Sequence, residues 1–218
     1  TMSEAAQDVL LKTLEEPPKD TLLLLTGTES GFRPTILSRC MVLREKTEPW
    51  ETIAERLIGN GADREKAVLA AKLSDGVYGR ANAFLSEESL AFRKEALACI
   101  RQLKGKARPY AALTALCTDT VTEESEDGTV KKTKKVSAAS VDAFLDILLS
   151  VLADVLRKKS GVSDVRNTDC REIETILDST FTISQIQGMI QVAVDAKEML
   201  FYKANPGQTV DWILAKLP

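Results

Sequence analysis

Chemistry needs side chains that take up a proton, bind a metal or steady a developing charge, and this sequence offers few. There is no histidine, which removes the commonest general base and metal ligand. The four cysteines, Cys40, Cys99, Cys117 and Cys170, are far apart and form no Cys-x-x-Cys pair, so no zinc site is expected within the chain. No G-x-x-x-x-G-K-[ST] loop that could cradle phosphates occurs. What stands out is one arginine, Arg39, in Thr35-Ile-Leu-Ser-Arg-Cys40. It is a permanently charged fork at the end of a segment that Pro34 can start as a short helical turn.

The elements that must position Arg39 come just before it. Residues 1 to 16 have the spacing of an amphipathic helix, with Met2, Ala6, Val9, Leu10 and Leu14 on one face. Thr1 and Glu4 match a capping box at its start. Pro17-Pro18 ends it. Thr21-Leu-Leu-Leu-Leu-Thr26 is short, apolar and bounded by polar residues, which predicts a strand covered on both faces. A second strand is expected over residues 40 to 44. A buried strand needs neighbours, and few residues precede this one, so the expectation is a chain that begins inside a domain.

Two of these stretches carry a resemblance. Leu10-Leu-Lys-Thr-Leu-Glu-Glu-Pro-Pro18 and Thr35-Ile-Leu-Ser-Arg-Cys40, in that order and at that spacing, resemble the back half of the ATPase domain in the bacterial DNA polymerase III clamp-loader family, a branch of the AAA+ ATPases. The resemblance implies that Arg39, with Ser38 as its motif neighbour, is an arginine finger that reaches the γ-phosphate of ATP held by an adjacent subunit. Such a group stabilises charge on a transferring phosphoryl group and is worth about 10³–10⁵ in rate in other nucleotide hydrolases. It also implies that Thr26 occupies the sensor-1 position at a strand end. Family ATPases carry two adjacent threonines there, whereas this chain has Thr26-Gly-Thr28. The plain readings are a surface arginine on a short helix and an ordinary strand-end threonine.

The rest of the chain fits the same family. Residues 45–86 predict three short helices, with Thr47 as the first cap, Gly59-Asn-Gly61 as a stop and Asp63 as the next cap. In the family this segment is the lid. Hydrolysing members carry a G-S-x-R-D-A pattern at the third lid helix. Here it reads Gly76-Val-Tyr-Gly-Arg-Ala81, with Gly79 at the arginine position. Arg80 is displaced by one residue, which turns a helical side chain by about 100°. This departure resembles the delta-prime type, a stator that does not turn over ATP.

Residues 87–218 read as all helix and resemble the family's collar, the domain that holds subunits in a ring. Within them, Glu123-Glu-Ser-Glu-Asp127 and Lys131-Lys-Thr-Lys-Lys135 predict a solvated, flexible insertion over 118–136. The alternative is that the four lysines touch DNA phosphates. Trp50 and Trp212 lie on amphipathic stretches and are expected to pack rather than stack on bases.

The expected fold class is therefore mainly α: a truncated α/β AAA+ remnant (1–44), a three-helix lid (45–86) and an all-helical collar (87–218). The function the resemblance implies is that of a delta-prime-type stator. It would assemble with tau/gamma and delta subunits to load the sliding clamp on primed DNA, and would not be an enzyme by itself. No cofactor is expected in this chain, ATP being held by its neighbours. Two alternatives stay open: the C-terminal part of an ATP-hydrolysing gamma/tau subunit, and a helical scaffold unrelated to replication. A net charge of −3 gives no global basic field for nucleic acid or an anionic membrane. No apolar run approaches the roughly 20 residues of a membrane span, no signal-peptide pattern opens the sequence, and scattered single cysteines fit a reducing compartment. A cytoplasmic location is expected.

Overall fold

The computed structural model describes residues 2–27, 29–103, 109–124, 130–162 and 165–217. The chain is mainly α and divides into two compact units, Thr1–Lys46 and Thr47–Pro218. In the first unit, α1 (Glu4–Glu15) and the short α2 (Pro34–Leu37) flank a single 3-10 turn, Glu29–Gly31. The helix start differs from expectation. Ser3 is the cap, its hydroxyl accepting from the Ala6 amide at 3.3 Å, while Thr1 lies outside the described residues.

The two expected strands are absent. Residues 21–26 and 41–49 have no regular structure. Four leucines in a row supply β-propensity but not a partner, and a strand exists only through a ladder of inter-strand hydrogen bonds. No strand pairs with either segment among the described residues. Leu22 and Leu24 are 91% and 80% exposed, and Met41 and Leu43 are equally open.

In the second unit, α3 (Trp50–Gly59), α4 (Arg64–Leu73) and α5 (Tyr78–Phe84) bury a small apolar cluster. Ile53, Leu57, Ala67 and Ala70 are at its centre. Asp63 caps α4 as expected, accepting from the amides of Glu65 and Lys66. Thr47 does not cap α3, whose N-cap position is held by Pro49. The stretch around Thr47 instead runs across the α4–α5 turn, where the Glu48 amide donates to the Gly76 carbonyl at 2.9 Å. A Cβ on Gly76, whose φ is +79°, would lie 2.5 Å from the Thr47 Cβ, so only glycine allows this approach.

The larger apolar cluster belongs to α6 (Glu87–Gln102), α7 (Tyr110–Leu116), α8 (Ala138–Lys159), α9 (Arg171–Thr180), α10 (Ile183–Phe201) and α11 (Pro206–Lys216). Helix α8 is its axis: Val141, Phe144, Leu145, Leu148, Leu152 and Val155 are all buried at helical spacing. Gly161, at φ +81°, ends α8, and the Val162 amide returns to the Arg157 carbonyl at 2.9 Å. Residues 118–124 and 130–136, which lie in the expected flexible insertion, have regular structure. Strands β1 (Thr118–Glu124) and β2 (Val130–Val136) pair antiparallel. Asp119 stands opposite Lys135 and Glu123 opposite Lys131. Lys132 and Lys134 stand opposite Thr122 and Thr120. The loop between them lies outside the described residues.

A buried polar cluster ties the 165–170 segment to this bundle. Asp154, fully buried on the apolar helix α8, accepts from Arg157 Nη1 at 2.6 Å on one oxygen. Its other oxygen accepts from the Arg166 amide, the Asn167 amide and Asn167 Nδ2, each at 2.8 Å. Arg93, also buried, donates to both oxygens of Asp169 (2.8 and 2.7 Å) and to Asn167 Oδ1 (2.7 Å). Every charge in the cluster is met by hydrogen bonds, the condition under which buried ions are tolerated. Beside it lies buried Glu174, whose carboxyl is raised above its ordinary range by desolvation and then by the Asp154 charge. The native state therefore holds this proton more tightly than the unfolded chain. The contribution of this group to stability should fall as pH rises from the unfolded value, about 4.3, through the raised native one. Glu174→Gln should flatten that fall, as measured by urea unfolding between pH 4 and 8; an unchanged profile would rule out the titration of Glu174 as its source.

Candidate functional site

Arg39 follows the short α2, and three contacts fix that helix against α1. Ile36 is buried, 1% exposed. Gln7 is buried as well; its Oε1 accepts from the Arg33 amide at 2.9 Å and its Nε2 donates to the Gly31 carbonyl at 3.0 Å. Arg33 Nη1 in turn pairs with Asp8. Pro34 sits at the first position of α2 as expected, where its missing N–H costs nothing.

The guanidinium of Arg39 remains at the surface, its side chain 37% exposed. Nη1 donates to the Thr35 carbonyl at 3.0 Å, and Nη2 pairs with Glu15, the last residue of α1. A half-exposed ion pair of this kind is worth about 0.2–1 kcal/mol, because water competes with both partners. A stronger anion can therefore take the fork from Glu15 at small cost. Ser38 lies beside it as the C-cap of α2. Its hydroxyl donates to the Thr35 carbonyl at 3.1 Å, so both motif residues share one acceptor.

Thr26 is exposed in the irregular 21–26 segment. Among the described residues no hydrogen bond joins it to Ser38 or Arg39. The glycine after it has a local reason: a Cβ at Gly27 would come within 2.9 Å of the Phe32 ring. Gly79 is the opposite case, with open space where its Cβ would point. Arg80 is 67% exposed and makes a long 3.4 Å contact to Asp75.

The thiols offer no nucleophile in the second unit. Burial pushes Cys99 and Cys170 up, and Cys117 up to about 12, so little thiolate exists at neutral pH. No cluster of acidic, thiol or imidazole groups suited to a metal ion occurs among the described residues. None of their helices is long and apolar enough to cross a membrane. What the chain can offer chemically is a positioned guanidinium. The sequence reading named Arg39 but missed the groups that hold it. Glu15 was visible only as part of Glu-Glu-Pro-Pro, and Gln7 as a polar residue in an amphipathic helix.

Residues 1–48 match the family described as DNA polymerase III, delta subunit. The chain is also 25% identical over 201 residues to DNA polymerase III subunit delta' of Escherichia coli (strain K12), an alignment that covers 91% of this chain and 54% of that protein. The chain is delta-prime-like. It spans about half the length of that relative. The family match covers all of α1, α2 and Arg39, while the longer alignment takes in most of the second unit of this delta-prime-like chain.

Gln7→Ala should release the 31–33 backbone from α1, because it removes the side chain that accepts from the Arg33 amide and donates to the Gly31 carbonyl. Hydrogen exchange at the Arg33 amide is expected to rise by about tenfold or more. Exchange as slow as in the parent would show that Gln7 does not hold the turn.

Proposed function

We propose that this chain acts in a bacterial clamp loader as a delta-prime-type stator and contributes Arg39 in trans to ATP bound by a neighbouring subunit. The observation that carries the reading is the state of Arg39. Its turn is anchored by buried Ile36 and Gln7, yet its fork is half-exposed and, among the described residues, held by Glu15 and one carbonyl. That is what a trans-acting arginine requires: a fixed base, a free end and no deep partner to give up. The family match around it and the likeness to a delta-prime subunit support the same reading.

The remaining parts take roles in this proposal. The helices over 47–86 act as the lid. The bundle of α6–α11 acts as the collar, meeting tau/gamma and delta subunits, while the assembled loader opens the sliding clamp on primed DNA in the cytoplasm. The exposed apolar residues Leu22, Leu24, Met41 and Leu43 suit a surface covered by the rest of an ATPase domain. Thr26 would then occupy the sensor-1 position, with the chain itself not an enzyme and holding no cofactor. Gly79 favours this stator over a hydrolysing gamma/tau subunit, because glycine has no side chain with which to sense a phosphate.

The test is a loader reconstituted with the full-length form of this subunit. Arg39→Ala should leave assembly intact, since Arg39 is at the surface, and lower DNA-stimulated ATP turnover at the adjoining site by about tenfold or more. Arg44→Ala, which removes another exposed cation, paired with Glu29, should leave turnover at parent level. Equal rates for parent and Arg39→Ala would remove the trans role.

A further inference from the structure

The carboxylate that holds Arg39 stands where its own helix does not favour it. Glu15 is the last residue of α1, and Glu16 follows it as the C-cap. A helix C-terminus is the negative end of the macrodipole, so cations are favoured there and carboxylates are not. Lys12, in the same last turn, meets that preference. Among the described residues it makes no ion pair with Glu15. The contact that accounts for Glu15 comes from outside α1, from Arg39 Nη2. Asp8 and Glu15 lie seven residues apart, two turns along one face of α1. Between them they bracket α2: Asp8 takes Arg33 just before it, and Glu15 takes Arg39 just after it. The Arg39 backbone is fixed, its amide donating to the Ile36 carbonyl at 3.0 Å. Breaking one exposed ion pair therefore lets the fork swing with no change in the turn beneath it.

We propose that Glu15 is a latch: a competing carboxylate that parks Arg39 against α1 until a phosphate on the neighbouring subunit draws it away. The inference rests on the trans role of Arg39 proposed above and adds the residue that regulates it. Glu15 acts through Arg39 and touches no nucleotide. A terminal phosphate carries more negative charge and more acceptor oxygens than one carboxylate, and guanidinium forks match its oxygens two at a time. Phosphate within reach therefore wins the fork. The exposure of the pair sets the strength of the latch. With the Arg39 and Glu15 side chains 37% and 51% exposed, water competes with both, and the parked position is favoured by only a few fold. That bias withdraws the arginine when no phosphate is presented and yields when one is.

The test compares ATP turnover, measured without DNA, in loaders reconstituted with full-length forms of this subunit. Glu15→Gln keeps the length of the side chain and an acceptor oxygen but removes the charge. It should raise turnover by about two- to fivefold, the bias of an exposed pair. A Glu15 that merely supports the structure gives the opposite sign, because a looser α2 would misplace Arg39 and slow the reaction. Glu16→Gln removes the same charge from the same helix end. Among the described residues Glu16 makes no ion pair with Arg39, so this variant should turn over ATP at the parent rate. The double variant, Glu15→Gln with Arg39→Ala, should match Arg39→Ala alone, since no fork is left to release. Turnover at or below the parent rate in Glu15→Gln would overturn the latch. So would a rise that persists without Arg39, or an equal rise in Glu16→Gln. Loss of turnover in Arg39→Ala with no gain in Glu15→Gln removes the latch and leaves the trans role standing, whereas an unaffected Arg39→Ala removes both.

Discussion

An arginine cannot shed its charge near neutral pH, so each one in a folded chain must be paired, hydrogen-bonded or left in water. The second unit meets that constraint by burial with full compensation. Arg93 spends its donors on Asp169 and Asn167, and Arg157 spends one on Asp154. Those bonds order residues 165–170 and set α9 against α6 and α8. The first unit meets the same constraint at the surface. Arg39 is tied lightly to Glu15 and a carbonyl, and its charge stays available. The same side chain is thus a structural bolt in one setting and a lightly held surface charge in the other, and the difference is desolvation.

The first unit has little apolar material to hold Arg39 in place. Among its described residues only Ile36 is a buried hydrophobe, and Gln7 is the buried polar group beside it. The turn is therefore fixed mainly by polar ties to α1. Ties of this sort are directional; they set where the base of the arginine lies without covering its tip. The second unit is built differently. Its two apolar clusters share no buried residue, and polar contacts such as Arg166–Asp75 and Lys72–Val165 span the ground between them.

Much of the helical architecture was legible in the sequence, because each helix carries an apolar stripe and several end on a glycine that can take positive φ. Gly61 and Gly161 do so. The pairing of β1 with β2 was not, because dense charge reads as a solvated segment and the non-lysine residues of β2, Val130, Thr133 and Val136, recur every third position instead of every second. The reverse error fell on Leu22–Leu25: the apolar run was visible, but the partner a strand needs is not a property of the run. Asp154 was also illegible. An aspartate in a leucine-rich helix reads as a solvent-facing position, and its ligands lie a dozen residues on, in a segment without periodicity. Arg39 was found through the resemblance of its motif, while its exposure and its hold by Glu15 and Thr35 could come only from coordinates.

The central claim concerns where one guanidinium goes when a neighbour holds nucleotide. A cryo-EM structure of the loader containing the full-length subunit, trapped with a non-hydrolysable ATP analogue and primed DNA, measures it directly. The account predicts Arg39 within hydrogen-bonding distance of the γ-phosphate oxygens on the adjacent subunit, released from Glu15. Arg39 still paired with Glu15, with another residue on that phosphate, would contradict it.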